Sequence, residues 1–424
     1  MNENFELKTE QKTSTLLYVL MLYFIMGSDT VLFGYNSSSF IPTISEYIRS
    51  AISLVFLFAY LLKCKGKVDT KFTALMITIV WLVFVALIHG EFSGGYISKI
   101  TLFVLGYCFF RFYSFNEFKI AYLNVMTAIC AVSLLTYFLS ILFSPSIFSF
   151  LPMLRNTTGH SFYTLFLTNV SITAFNRNFG PFTEPSRYQA YINLGIALLL
   201  FDKEKTNVKR VILFIVTLIT TLSTTGYIVF IVILIALLFS EGTPAKTPKK
   251  ILFLFILLAG LSILFFVNED FAKVFQKIGG GTSSESFSAR YYSIFAGLKL
   301  VCENFFFGTG ISNAAEAYAE AVRSISSTGS MINTNTILLH FSKFGFVAGF
   351  YYIYNYAKFT HSFSRKCSFI FLFLAFILMV SGISFLDSIL FNVVIFGRDN
   401  MDSINKFPRS DNNENIVHKC VELR

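Results

Sequence analysis

Twelve apolar stretches divide this sequence, at 15–34, 44–62, 71–88, 97–112, 118–143, 188–201, 208–222, 224–240, 250–267, 334–357, 368–383 and 384–397. A helix of about 20 residues satisfies its own backbone polar groups across a bilayer, so a succession of such runs reads as membrane spans. The composition agrees. Of 424 residues, 54% are hydrophobic and 14% charged, which excludes an ordinary soluble domain and an intrinsically disordered chain. The fold class expected is all-α, a polytopic integral membrane protein of about twelve transmembrane helices with two long loops. Residues 1–397 read as one membrane domain and 398–424 as a polar, partly disordered cytoplasmic tail. Several runs are short. The pairs 208–222/224–240 and 368–383/384–397 read either as hairpins or as long broken helices.

The net charge of +10 does not point to nucleic acid, because the basic residues fall in short clusters between apolar runs. With the amino terminus inside, 23 of the 34 Lys and Arg residues fall on the inner side, 10 on the outer side, and Lys343 within a span. The positive-inside rule then puts both termini in the cytoplasm and both long loops outside. Met1–Lys12 is polar and has no small-residue cleavage site, so no removable signal peptide is expected. Six cysteines show no CxxC or Cys/His spacing, which argues against a disulfide framework or a zinc site.

The long loops span roughly 144–187 and 268–333, and each carries an arginine near a recognisable turn. The first ends in Arg177-Asn178-Phe179-Gly180-Pro181-Phe182-Thr183-Glu184-Pro185-Ser186-Arg187. Proline suits a first helical turn, and Arg187, Tyr191 and Gly195 then share one helix face, with Gly195 open to close approach. The plainer alternative is an arginine at the outer mouth of the sixth span, reaching for the membrane interface. The second loop carries Ser288-Ala289-Arg290 on an amphipathic helix that ends at Gly308-Thr309-Gly310. Gly279–Ser284 reads as a flexible stretch and Ala314–Ile325 as a soluble-type helix that Ser312 could cap.

Guanidinium groups outside the membrane suit phosphate, which they bind in a bidentate fork. The phosphates at hand there are lipid headgroups and polyprenyl diphosphates. A diphosphate is also a leaving group whose developing charge arginines stabilise. Glu184 is the candidate general base, with a structural partnership to Arg187 or Arg177 as the alternative. The remaining outer carboxylates and the five histidines lack metal-ligand spacing, and neither a nucleophile elbow nor a phosphate-cradling loop occurs. No metal or cofactor is expected. Asp29, Lys343 and Asp387 are the unusual polar residues of the spans, the two aspartates near predicted outer ends where solvation is cheap. Sequons at Asn36, Asn156 and Asn169 carry little weight.

Three passages resemble the O-antigen polymerase and O-antigen ligase superfamily of bacterial envelope glycosyltransferases. They are Arg177 through Ala190, Ser288-Ala289-Arg290 through Gly308-Thr309-Gly310, and Asn335-Thr336-Ile337-Leu338-Leu339 with Gly345. Ser223-Thr224-Thr225-Gly226 is similar to the family's polar turn before its eighth span. The resemblance implies metal-independent, inverting glycosyl transfer from an undecaprenyl-diphosphate donor at the outer face of the bacterial inner membrane. It implies Arg187 and Arg290, with Arg177, at the diphosphate. Tyr191 and Asn335 are candidates for substrate binding. Ligases of the family carry a histidine before the asparagine matched by Asn335, whereas Thr334 stands here. The expected activity is therefore an O-antigen or capsule repeat-unit polymerase, with ligase and lipid-linked oligosaccharide flippase as alternatives. Expected partners are undecaprenyl-diphosphate-linked oligosaccharides, with a chain-length regulator of the inner membrane as a further candidate.

Overall fold

The computed structural model describes residues 14–37, 40–64, 69–157, 159–174, 176–201, 207–240, 285–326, 331, 333–363 and 367–397. The expected span at 250–267, the stretch Gly279–Ser284 and the tail from Arg398 lie outside the described residues.

The described chain is mostly helical. Five helices come first: α1 (Thr15–Asp29), α2 (Phe40–Cys64), α3 (Thr70–Ile88), α4 (Gly94–Phe109) and α5 (Phe115–Phe143). A short 3-10 turn and three strands follow, β1 (Met153–Arg155), β2 (Ser161–Leu165) and β3 (Thr168–Ser171). Then come α6 (Pro185–Leu200), α7 (Val208–Thr220), α8 (Thr224–Leu238), α9 (Glu285–Glu303), α10 (Ala314–Arg323), α11 (Thr336–Phe363), α12 (Cys367–Ser381) and α13 (Ile389–Val394).

Local chemistry sets the helix starts. Ser14, Asp69, Ser114, Asn207, Ser223 and Ser388 each accept a hydrogen bond from the backbone N–H three residues on. Each thereby satisfies a donor that the first turn leaves free. Ser114 and Glu117 complete a reciprocal capping box. Pro185 opens α6, where a missing N–H costs nothing.

Among the described residues four helices are long and apolar enough to cross a membrane: Phe40–Lys63, Thr70–Ile88, Phe115–Phe143 and Thr336–Ser362. Shorter apolar helices fill in at Thr15–Asp29, Gly94–Phe109, Thr224–Leu238 and Ser368–Ser381. Leu54, Val55, Phe58 and Leu61 of α2 and Val80 and Leu87 of α3 are exposed, a flank suited to lipid tails. Large aromatics such as Phe24, Phe103, Phe109, Phe118 and Tyr122 fill the interior.

One expectation changes, one open alternative is resolved, and the helical fold gains a small sheet. The stretch 384–397 holds only the six-residue helix α13, ~9 Å long at 1.5 Å per residue and too short to span. All six of its residues are buried, and it packs against α1 and α4. Hydropathy cannot distinguish a segment covered by protein from one covered by lipid. The pair 208–222/224–240 is two helices, broken at 221–223 where Leu222 takes a φ of 47°. Finally, the mostly helical chain also carries one small sheet. The first loop holds an antiparallel sheet of order β1-β2-β3, with Leu154 opposite Phe162 and Tyr163 opposite Val170. Strands this short carry too little alternation to read from sequence.

The span expected at 334–357 is α11, extended to Phe363 and broken at Gly345, whose φ is +75°. A Cβ there would lie 2.0 Å from the Phe306 carbonyl oxygen. Only glycine lets the second loop press into the helix at this point. The docked turn and Trp81 of α3 then satisfy the groups that the break frees. Thr309 N–H donates to Ser342 O at 2.6 Å, Phe346 N–H to Phe306 O at 3.3 Å, and Trp81 Nε1 to Phe344 O at 2.8 Å.

Candidate functional site

The turn after α1 pairs with the end of the first loop. Thr30 bridges Phe182, and Val31 N–H donates to Pro181 O at 3.2 Å. Asn169 of β3 donates its side-chain amide to the same Pro181 carbonyl at 2.6 Å. The stretch from Asn178 to Leu199 is thereby enclosed, with Glu184 its one exposed residue.

Arg187 lies in the first turn of α6, 5% exposed. Its Nη1 donates to Asp29 Oδ1 at 2.7 Å and to Ser384 O at 3.0 Å, and Nη2 donates to the Tyr35 hydroxyl at 2.6 Å. Tyr191, one turn on, donates to Asp29 Oδ2 at 2.5 Å. The shared face expected of Arg187, Tyr191 and Gly195 is present. Arg187 and Tyr191 converge on one carboxylate, and Gly195 receives the Phe214 ring from α7. A free guanidinium at the outer mouth of the span is not what forms, because Asp29 neutralises it. Nor is Asp29 cheaply solvated at a helix end, since it is 2% exposed. Removing two opposite charges from water together, with hydrogen bonds on both, is what makes their burial tolerable.

Arg177 is half-buried. It donates to Thr221 O at 3.3 Å and Leu222 O at 3.2 Å, carbonyls just past the end of α7. Asn178 adds an N–H bond to Thr220 O at 2.9 Å. The signature therefore clasps the α7–α8 turn, and cationic groups suit that negative helix end.

Arg290 lies on α9, half-buried, with no hydrogen bond or ion pair among the described residues. Burial pulls its pKa below the usual arginine value, nearby Glu184 pulls it back up, and Arg177 pushes it down. Burial likewise lowers Arg177, with Glu184 among the groups opposing the shift. Arg187 is within Coulombic range of Glu184 as well. Glu184 is thus within Coulombic range of three arginines drawn from both long loops, though it forms no ion pair with any of them among the described residues. Its Oε2 accepts a bond from Ser186 at 3.1 Å and the carboxylate is otherwise open to solvent.

Asn335 is buried at the start of α11, where its Oδ1 accepts from Ile337 N and Leu338 N, both at 3.1 Å. That is an N-cap. Ser293 ties this start to α9, donating to Asn333 at 2.8 Å and accepting from Thr334 N at 2.6 Å and Asn335 N at 3.1 Å. Thr334 itself donates from its hydroxyl to Ser381 O at 3.4 Å. Glu91 holds the far end of the second loop by accepting from Ile311 N at 2.8 Å and Ser312 N at 3.1 Å. Ser312 is accordingly not the cap of α10. That helix starts after Asn313, which makes no side-chain cap bond.

A polar cavity of about 530 Å³ lies farther along α9, lined in part by His89, Lys299, Glu303, Asn304 and Asn313. None of the arginines discussed above lines it. A narrow cleft beside β3 does include Arg177, with Tyr137, Asn169 and Asn178. Charge placement, not cavity size, marks the site. Sequence reasoning missed Tyr35, Ser293 and the pairing role of Asp29. Only an aspartate within an apolar run gave any signal, and nothing local named its partner.

Residues 211–353 match the family model described as O-antigen ligase. The matched stretch contains Arg290, Asn335, the Gly308-Thr309-Gly310 turn and Gly345, and ends before α12. It supports a place in the O-antigen polymerase/ligase superfamily, whose members are glycosyltransferase-like enzymes, and with the apolar helices it supports a membrane protein. The first loop, with Arg177, Glu184 and Arg187, lies outside it. No curated protein matches the chain.

Proposed function

We propose that this protein is a polysaccharide repeat-unit polymerase, for O-antigen or capsule. It transfers the growing glycan from undecaprenyl diphosphate to a sugar hydroxyl of a lipid-linked repeat at the periplasmic face of the inner membrane. The observation that carries this reading is that Arg177, Arg187 and Arg290, from two distant loops, all lie within Coulombic range of the exposed Glu184. In the reaction the acceptor oxygen bonds to the donor anomeric carbon on the face opposite the diphosphate. The bond from that carbon to the diphosphate oxygen breaks, and its electron pair leaves on the diphosphate. The hydroxyl proton passes to Glu184. Arg290, which has no other partner among the described residues, and Arg177 supply guanidinium forks to the departing charge. Arg187, neutralised by Asp29, fixes the turn that presents Glu184. No metal or cofactor takes part in this scheme.

The ligase alternative is favoured by the wording of the matched family and disfavoured by Thr334, which replaces the histidine that ligases of the family carry there. A gel of lipopolysaccharide from a deletion strain separates the two. A polymerase null still attaches one repeat to lipid A-core, whereas a ligase null attaches none. A flippase would make no polymer when purified and given lipid-linked repeats. Within the polymerase reading, Glu184→Gln should lower turnover by roughly 10²–10⁴-fold, the usual scale for a lost general base. Its exposure means that membrane abundance should not fall. Wild-type polymer from both Glu184→Gln and Arg290→Ala would falsify the assignment.

A further inference from the structure

Three more basic residues lie inside the helical bundle, joined to the arginine site through 384–387, where Arg187 donates to Ser384 O and Lys99 to Leu386 O. Arg49 is in α2, Lys99 in α4 and Lys343 in α11, each within the first ten residues of its helix. All three helices begin at the end of the bundle that bears the long loops. α2 follows the turn that pairs with the first loop, α4 follows Glu91, and α11 follows Asn335. Helical side chains lean toward the N-terminus of their helix, so these three reach back toward that end. The helix starts add partial positive charge of their own.

Arg49 is 3% exposed. Its Nη2 donates to Ser98 Oγ at 2.6 Å, and its Nε has no partner among the described residues. Glu46 stands 4.0 Å from it with a largely exposed side chain. Lys99 is enclosed, donating to Leu386 O at 2.8 Å and Asn392 Oδ1 at 2.7 Å, neither of which carries a charge. Lys99 is within Coulombic range of Arg49, Lys343 and Asp387, and Asp387 is exposed. Lys343 is half-buried, with no hydrogen bond or ion pair among the described residues. Three cations in a low-dielectric interior therefore face two carboxylates that water already solvates. Glu46 and Asp387 balance them only in part, and Lys99 rests over the Phe103 and Tyr352 rings at 4.9 and 5.7 Å. Charges incompletely balanced at membrane depth are candidates for ligand binding. Lys343 is the accessible member, with Arg49 and Lys99 enclosed beside it.

We propose that Arg49, Lys99 and Lys343 form a second anion site, which receives the phosphate end of the lipid-linked acceptor while the Arg177–Arg290 site holds the donor. The inference rests on the polymerase reading, in which both substrates carry a lipid diphosphate. It supplies the second of the two headgroup sites such an enzyme needs.

The test is the stoichiometry of undecaprenyl diphosphate bound to full-length protein in phosphatidylcholine nanodiscs. Wild type should bind two per chain. Lys343→Glu should bind one and Lys343→Arg two, and Arg290→Ala should bind one. Lys343 is half-buried and unbonded, so the protein should fold in each case, which elution as a single species on gel filtration checks. Two molecules still bound to Lys343→Glu, or one to wild type, overturns the second site. Two bound to Arg290→Ala, with one to Lys343→Glu, instead overturns the arginine donor site and leaves the second site standing. Displacement from the Lys343 site by equimolar inorganic diphosphate or by phosphatidylglycerol overturns its assignment to a polyprenyl lipid.

Discussion

Arg187 closes the first long loop and Arg290 lies within the second, each on a helix, yet their surroundings differ. Arg187 is enclosed, bonded to Asp29, Ser384 and Tyr35. Arg290 is half-buried with no bonded partner among the described residues. The first loop is a scaffold built on a three-stranded sheet and cross-linked to the turn after α1. The second reaches the same end of the bundle on a helix anchored by Ser293 and by a turn lodged in the break at Gly345. One arginine is committed to the fold and the other has no bonded partner among the described residues. A cationic signature in a sequence is thus not evidence that every arginine in it meets the substrate.

The comparison breaks first, and most severely, at Asp29. Asp29→Ala strands the Arg187 charge in the interior and should cost about 3–5 kcal/mol, seen as a fall in membrane abundance and melting temperature. Arg187→Ala should do the same by stranding Asp29. Its loss of polymer would then report instability together with any catalytic part. If Asp29→Ala leaves both abundance and melting temperature unchanged, the first loop is not the scaffold described here. Next in size is Arg290→Ala, expected to lower polymerisation roughly 10²–10³-fold, the scale for removing one preorganised donor to a developing anion. Abundance should hold. Lys at 290 should restore little, because an ammonium lacks the planar fork. A fall in abundance as large as that of Asp29→Ala would erase the distinction between the two arginines.

A smaller effect is expected at Gly345. Gly345→Ala forces a side chain into a positive-φ position against the Phe306 carbonyl, at a cost of about 1–3 kcal/mol. Because the strain falls on the docked turn, protease cleavage within 304–312 should rise before the bundle melts. The smallest is Asn335→Ala, which removes a helix cap worth about 1 kcal/mol. A modest drop in melting temperature with wild-type polymer would show that Asn335 caps and does not bind substrate. A large rise in KM at wild-type stability would restore its candidacy for substrate binding.

Much of the bundle was legible in the residues. The run expected at 71–88 became α3 at Thr70–Ile88, and that at 118–143 became α5 at Phe115–Phe143, which starts three residues earlier at a Ser114/Glu117 capping box. The run 384–397 was not, because α13 is buried by helices where a span would be buried by lipid. The sheet was not, because three strands of three to five residues offer little period to detect.

What the sequence determined by itself is a membrane-embedded helical chain with two polar excursions, each bearing arginine. That much follows from apolar run length and the self-sufficiency of helical hydrogen bonds. Which arginine is spent on the fold, which glycine admits a loop into a helix, and which acid stands among the guanidinium groups were decided only by the tertiary structure. Those facts depend on groups far apart in the chain coming together, 158 positions apart for Asp29 and Arg187. A charge is neutralised by whatever lies within a few ångströms of it, and that distance is not encoded in any local stretch of residues.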